Sequence, residues 1–272
     1  MQKLIVTATL LALALYAALL AGLWLWQERL IFLPARLPAN HRFDLGPDVH
    51  ETWVEVPGAR LNALHLQLPK PDGVVVYLHG NAGNLQGWFS NPGFWRRANL
   101  DLFMIDYRGY GKSSGRVESE AQLHADARAA WDTVAARYTG QRPGQRRIVV
   151  GRSLGTGLAA ALAAEVRPDL TVLISPYESL QALQREHFAW VPGFVLRYPL
   201  RTDHALPRIA GPVLLIHGQD DDLIAPAHSE RLQRLRPGTQ RLVVAGAGHN
   251  DLQDFPAYLE GLLEMLRTMP AR

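Results

Sequence analysis

The residues best placed to do chemistry lie in Ile148-Val149-Val150-Gly151-Arg152-Ser153-Leu154-Gly155. An apolar run leads into G-x-S-x-G and then into a helix-like stretch. On such a strand-to-helix turn a serine sits on a sharp bend with its hydroxyl exposed. Gly151 and Gly155 carry no side chain to collide where the helix recrosses the strand. The helix N-terminus offers free N–H groups and a field that favours developing negative charge. The chemistry implied is attack of the Ser153 hydroxyl on a carbonyl carbon. The plainer reading is a structural Gly-rich turn.

A hydroxyl is a weak nucleophile until a neighbour takes its proton. Ten histidines are available. His249 stands in Gly246-Ala247-Gly248-His249-Asn250-Asp251, directly after the last apolar run, where a loop can reach the bend. His79 and His217 also follow apolar runs, but each precedes a glycine and reads as a turn residue. His41, His50, His65, His124, His187, His204 and His228 read as surface or helix residues. The base in turn needs a carboxylate to fix its tautomer and stabilise its cation. In the chain order expected on this kind of sheet, that acid falls between serine and histidine. The run Val213–Ile216 ends in His217-Gly218-Gln219-Asp220-Asp221-Asp222, so one of three aspartates is the orienting acid. Three adjacent acids cannot all face one ion, and no known metal-ligand spacing accompanies them. No metal and no organic cofactor is expected.

A tetrahedral intermediate needs two hydrogen-bond donors for its oxyanion. The N–H of Leu154, next after the serine, supplies one. The second is expected from His79-Gly80-Asn81-Ala82-Gly83-Asn84, at the N–H of Asn81. Two other motifs fail. Gly155-Thr156-Gly157-Leu158-Ala159-Ala160 matches a dinucleotide fingerprint, but the next strand ends in Ser175 rather than an acid. Gly111-Lys112-Ser113 lacks the first glycine of a phosphate loop, whose place is held by Asp106.

These residues must be held by the elements around them. Glu51–Val56 and Leu61–Leu68 alternate apolar and polar residues about Pro57-Gly58, as paired antiparallel strands do. The runs Val74–Leu78, Leu102–Ile105, Ile148–Val150, Thr171–Ile174, Val213–Ile216 and Leu242–Val244 suit strands buried on both faces. Between them, Glu118–Tyr138, Leu154–Val166 and Pro256–Met269 carry apolar residues at helical spacing. The pattern predicts an α/β fold, a mostly parallel sheet with helices on both faces. In such sheets sites gather outside the carboxyl ends of the strands. That is where His79, Asp106, Ser153, Ser175, His217 and His249 fall. The segment at about residues 177–207 is expected to form a short cap. Its Trp190, with Trp88 and Phe89 after the oxyanion loop, are candidates to line a substrate pocket; ordinary packing is the alternative.

The chain has 272 residues, is 48% hydrophobic and contains no cysteine, which excludes disorder, a disulfide framework and a thiol nucleophile. The net charge is +3, with 28 Lys and Arg scattered among 25 acids. No basic stripe of the kind nucleic acid requires is present. Leu4–Trp26 is free of charge, long enough as a helix to cross a bilayer, and ends in Trp24 and Trp26, residues that favour the headgroup zone. Residues 1–26 are therefore read as an uncleaved transmembrane anchor, with a signal peptide as the rival. Residues 27–48, Pro-rich at Leu33–Pro38, read as an extended stalk, and 49–272 as the catalytic domain. Neither the membrane face nor the oligomeric state follows from the sequence.

Taken together the motifs resemble the α/β-hydrolase superfamily, and within it the membrane-anchored serine hydrolases that include protein depalmitoylases and monoacylglycerol or lysophospholipid lipases. The resemblance spans about residues 50–268. It is carried by H-G-N-A-G-N at His79–Asn84, D-Y-R-G-Y-G-K-S-S-G at Asp106–Gly115 and G-R-S-L-G-T-G at Gly151–Gly157. S-P-Y-E-S-L at Ser175–Leu180 and G-A-G-H-N-D at Gly246–Asp251 complete it. The family pattern H-G-x-x-D-x-x-[I/V]-P implies that the acid is Asp221, four residues after His217. Ile224 fits this pattern and Ala225 departs from it. The resemblance implies a Ser153–Asp221–His249 triad cleaving an acyl ester or thioester presented from a lipid bilayer. An amide hydrolase on the same triad, and a non-catalytic membrane scaffold, are the alternatives.

Overall fold

The computed structural model describes residues 1–138 and 144–268. Its core is one eight-stranded sheet. In chain order the strands are β1 Val49–Val56, β2 Ala59–Leu66, β3 Gly73–Leu78 and β4 Asp101–Ile105. They continue with β5 Arg146–Arg152, β6 Leu170–Ile174, β7 Val213–Gly218 and β8 Gln240–Val244. Their order across the sheet is β8-β7-β6-β5-β3-β4-β2-β1. The β1–β2 and β2–β4 pairs are antiparallel and the rest parallel. Every short apolar run of the sequence lies in a strand, extended by one to four residues that periodicity could not reach.

The helices of eight or more residues are α1 Gln2–Ile31, α2 Glu120–Ala135, α3 Gly155–Val166, α4 Leu180–His187, α5 Ala227–Leu235 and α6 Pro256–Thr268. The expected end of the last at Met269 lies outside the described residues. Two apolar layers fill the space on either side of the sheet. One joins α2 and α3 to the strands through Trp131, Leu158 and Leu162. The other joins α6 and the Pro92–Arg97 helix through Phe94, Trp95 and Leu262. The parallel centre thus has both faces covered, which is why its strands read as unbroken apolar runs.

α1 is long and apolar enough to cross a bilayer, and the core of its apolar stretch is not buried by the rest of the chain. A signal sequence near an N-terminus would have the same length and composition. The helix continues five residues past the expected end at Trp26. Its last turns are held by protein partners: Gln27 Nε2 donates to the Val195 carbonyl (2.9 Å) and Tyr198 Oη donates to Glu28 (2.8 Å).

The following segment is extended, as its prolines require, but it is no free stalk. Leu33 and Ala35 donate their N–H groups to Asn81 and Gly83 (2.9 and 3.0 Å). Pro34, with no N–H to give, falls at the alternate position that faces away from the ladder. Leu37 N–H then reaches the Gly111 carbonyl at 2.9 Å. Proline spacing disclosed the extended backbone and not the surface that pairs with it.

Candidate active site

Ser153 is the first residue after β5 and two before α3. Its φ is +51°, a left-handed conformation that side-chain-bearing residues seldom adopt. The bend is fixed from both sides. Ser153 N–H donates to the Ile174 carbonyl (2.9 Å), and the Ser153 carbonyl accepts from Thr156 N–H (2.9 Å) and Thr156 Oγ1 (2.7 Å). The crossing is close enough to exclude side chains. A Cβ on Gly151 would stand 2.5 Å from the Gly155 carbonyl oxygen and 2.6 Å from Ala159 Cβ. One on Gly155 would overlap the Leu78 carbonyl. The spacing of the two glycines therefore follows from helix-on-strand contact.

His249 Nε2 lies 3.0 Å from Ser153 Oγ, and its Nδ1 lies 2.8 Å from Asp221 Oδ2. A carboxylate only accepts, so Nδ1 carries the proton and the Nε2 lone pair faces the hydroxyl. All three residues are buried. The other oxygen of Asp221 accepts from the N–H groups of Leu223 (3.1 Å) and Ile224 (2.8 Å). Burial alone would raise the Asp221 carboxyl; hydrogen bonds from His217, His249 and Ile224 outweigh it and hold the group well below the usual carboxylate range. Asp220 and Asp222, the other two acids of the run, are exposed.

His217, expected to shape a turn, instead lies in strand β7 and supports the acid. Its Nε2 donates to the Ile224 carbonyl (2.8 Å) and stands 3.3 Å from Asp221 Oδ2. The loops that carry acid and base are stitched together by Asp220 N–H on the Ala247 carbonyl (2.9 Å). Among the described residues no cluster of three His, Asp or Glu side chains comes together as a metal site.

Leu154 follows the serine in the chain, and the loop that carries Asn81 comes near it at Gly80, where an added Cβ would stand 3.6 Å from Ser153 Cβ. Neither backbone N–H donates to a protein acceptor among the described hydrogen bonds. The Asn81 loop is braced by the D-Y-R-G-Y motif. Tyr107 Oη donates to the His79 carbonyl (2.8 Å), Tyr110 Oη to the Asn81 carbonyl (2.6 Å), and Asp106 accepts from Leu85 N–H (3.0 Å). The motif itself is pinned to α2 by a buried two-bond pair, Arg108 with Asp126 (2.6 and 2.8 Å). The same loop also meets the end of α1, where Asn81 Nδ2 donates to the Ile31 carbonyl (3.3 Å). Sequence spacing carried no sign of that contact.

The three candidate pocket residues part company. The Trp88 ring is stacked on His79 at 5.6 Å, with Arg152 5.5 Å above it. It borders a cavity of about 410 Å³ walled by Tyr77, Phe94, Trp95, Met104 and Leu262. Phe89 borders the same cavity but is buried in the core. Trp190 is not on its wall; it is half exposed, and its carbonyl accepts from Tyr16 on α1. Arg152, the variable residue of G-x-S-x-G, was not singled out by the sequence. It donates to the His249 carbonyl at 3.2 Å.

Two histidines read as surface or helix residues are buried. His65 is in strand β2, against Phe103, and burial lowers it to about 4. His228 is on α5, between Glu178 (3.0 Å) and Glu186 (2.9 Å). A polar residue in a strand or helix reveals its inward turn only through partners distant in sequence.

Two overlapping family sequence models together span residues 69–256. The serine aminopeptidase (S33) family matches residues 69–201 and the alpha/beta hydrolase fold family residues 174–256. The chain belongs to the α/β-hydrolase superfamily. An uncharacterized protein of Mycobacterium tuberculosis is 34% identical over 258 residues, covering 90% of this chain and 87% of that one. Human alpha/beta hydrolase domain-containing protein 17B is 35% identical over 201 residues, 73% of this chain and 67% of that one. Among solved structures, an esterase of Pyrococcus furiosus superposes with a TM-score of 0.70 at 19% identity, covering 89% of this chain and 99% of that one. For this α/β-hydrolase the first family match contains Ser153 and the second contains Asp221 and His249.

Proposed function

We propose that this α/β-hydrolase is a membrane-anchored serine hydrolase of carboxylic ester or thioester bonds. The observation that carries the reading is the buried hydrogen-bonded chain Ser153–His249–Asp221. Ser153 Oγ attacks the carbonyl carbon while His249 Nε2 takes its proton. Asp221 holds the ring and stabilises the imidazolium. The N–H groups of Leu154 and Asn81 receive the oxyanion; each donor of this kind contributes about 3 kcal/mol to the transition state. His249 then protonates the leaving alkoxide or thiolate. Water, activated by the same nitrogen, releases the acid from the acyl-enzyme. The cavity beside Trp88 joins an aromatic and aliphatic wall to polar residues that include Arg152 and Asn250, the chain neighbours of Ser153 and His249, and its apolar wall would take an acyl chain. α1, residues 2–31, would tether the domain to the bilayer that supplies such substrates.

The test is labelling of the full chain with a fluorophosphonate probe. Wild type is expected to label and Ser153→Ala not; an unlabelled wild type, or equal labelling of both, overturns the reading. A second reading, amide hydrolysis on the same three residues, is favoured by the aminopeptidase family match at 69–201. Aminoacyl anilides against p-nitrophenyl acyl esters separate the two.

A further inference from the structure

One stretch of the cap holds nine successive residues without a charge or a polar side chain: Phe188-Ala189-Trp190-Val191-Pro192-Gly193-Phe194-Val195-Leu196. Such a run ordinarily turns into a core. Here its three large aromatics point outward: Phe188 is 53% exposed, Trp190 52% and Phe194 79%. Nor does the stretch stand free of the rest of the chain. Tyr16 Oη donates to the Trp190 carbonyl (2.7 Å), Gln27 Nε2 donates to the Val195 carbonyl (2.9 Å), and Arg197 N–H donates to Gln27 Oε1 (2.7 Å). Arg197 then covers the Trp24 ring at 4.9 Å and pairs with Glu28. The run thus follows the C-terminal half of α1 in the same chain direction, Trp190 beside Tyr16 and Val195 beside Gln27.

We infer that Phe188–Leu196 is a membrane-inserting loop, sunk beside α1 into the leaflet next to the catalytic domain. The inference rests on the reading of α1 as a bilayer helix. The first argument is depth. Tyr16 and Gln27 are eleven residues apart, or about 16 Å along a helix, and one leaflet of hydrocarbon is about 15 Å deep. If α1 enters lipid just before Gln27, the loop bonded to Tyr16 enters with it.

The second argument is the backbone. Polar backbone groups in hydrocarbon must be satisfied within the protein. The Phe188 carbonyl accepts from Val191 N–H (2.9 Å) and Gln184 Nε2 (3.0 Å), and Gln184 also reaches the Val191 carbonyl. The Pro192 and Gly193 carbonyls accept from the N–H groups of Val195 (3.0 Å) and Leu196 (3.3 Å). Tyr16 and Gln27 close the carbonyls of Trp190 and Val195, as above. Six of the nine carbonyls of the run are thus met within the protein.

The third argument is level. Trp24 and Trp26 are exposed at the domain end of α1, and Arg29, Arg36 and Arg197 line a cleft of about 870 Å³ just below them. Aromatic rings followed by cations are what the headgroup zone favours. That places the waterline near Gln27, and the aromatic loop on the lipid side of it.

The chain has no cysteine, so single-cysteine variants carry one label each. An environment-sensitive fluorophore is placed at Trp190→Cys and Phe194→Cys. Leu19→Cys on α1 serves as the membrane reference and exposed Val243→Cys on β8 as the aqueous one. Each full-length variant, its fold checked by circular dichroism, is put into phosphatidylcholine–phosphatidylglycerol nanodiscs, which leave both faces open to water. The labels at 190, 194 and 19 are expected to lose emission to nitroxide-bearing acyl chains and to be insensitive to iodide; the label at 243 behaves in the opposite way. Loss of emission to iodide at 190 and 194, with Leu19→Cys still quenched by lipid, overturns the inserted loop alone. Loss to iodide at Leu19→Cys overturns the bilayer helix itself, and the loop beside it falls with that helix.

Discussion

The strand-end loops of the sheet and the Phe188–Leu196 loop break the inside-outside rule in opposite directions. The first region buries polar side chains: Ser153, Asp221, His249, Asp106, Arg108 and Asp126. The second exposes apolar ones: Phe188, Trp190 and Phe194. Both departures are the informative kind. The buried polar groups have partners within the chain, at distances of hydrogen bonds. The exposed aromatics leave half or more of their surface uncovered by the chain, which is what a partner outside it would cover. A buried polar network points to chemistry or to a braced loop; an exposed aromatic patch points to a partner.

The sharpest way to test the first region is through its acid. Asp221→Asn keeps the shape but presents His249 Nδ1 with an amide in place of a carboxylate. It is expected to lower kcat by about 10⁴-fold, the scale of a wrong tautomer. Asp222→Asn, on an exposed side chain, is expected to leave kcat within about twofold, a free-energy change of only a few tenths of a kcal/mol. Ester hydrolysis by the two variants measures the contrast. Equal effects would remove the distinction between the bonded acid and its neighbour.

The brace comes next. Asp126→Ala leaves the Arg108 guanidinium buried without its carboxylate and is expected to cost about 3–5 kcal/mol of stability. Replacing both residues by apolar ones should recover much of the loss, because the penalty lies in the orphaned charge. Chemical unfolding in mild detergent reports both variants.

How these regions were legible in the sequence differs for the same reason. Six continuous apolar runs and two alternating segments located the eight strands, and the residues after the runs singled out Ser153, His217 and His249. The site lies where backbone direction changes, and glycine spacing records that. The short helices Pro92–Arg97 and Leu180–His187 were missed; the latter has no fully buried residue, so no apolar stripe marks it. Asp221 was one of three acids until the family pattern chose it, because local sequence does not say which carboxylate turns inward. The pairing of Leu33–Ala35 with the Asn81–Gly83 loop was invisible because it depends on residues about fifty positions away.

His65 extends the comparison to pH. It accepts from Gln67 Nε2 through Nδ1 (2.8 Å), and burial lowers it from 6.5 to about 4. A histidine whose folded value is depressed stabilises the fold fully above its unfolded value and loses that contribution as pH falls toward the folded one. The loss should begin below about pH 6.5 and reach on the order of 3 kcal/mol near pH 4. In His65→Gln this part of the acid sensitivity should vanish, leaving a flatter unfolding free energy between pH 6.5 and 4.5. An unchanged slope would mean that the ring is hydrated despite its burial.

The smallest expected effect belongs to the second region. Phe194 is the most exposed of the cap aromatics, so Phe194→Ser removes little packing. In detergent-free buffer with the domain held folded, or in mild detergent, stability is expected to change by no more than about 0.5 kcal/mol, as for surface positions generally. That near-silence is what separates the two regions. A side chain that served the core would cost several kilocalories when truncated, as Phe-to-small changes do. One that serves a partner outside the chain costs nothing until the partner is present. The measurement is unfolding of Phe194→Ser beside Phe94→Ala, a buried aromatic of the Pro92–Arg97 helix, expected to lose about 3–5 kcal/mol. A comparable loss in both would place Phe194 in the core and dissolve the contrast between the loops.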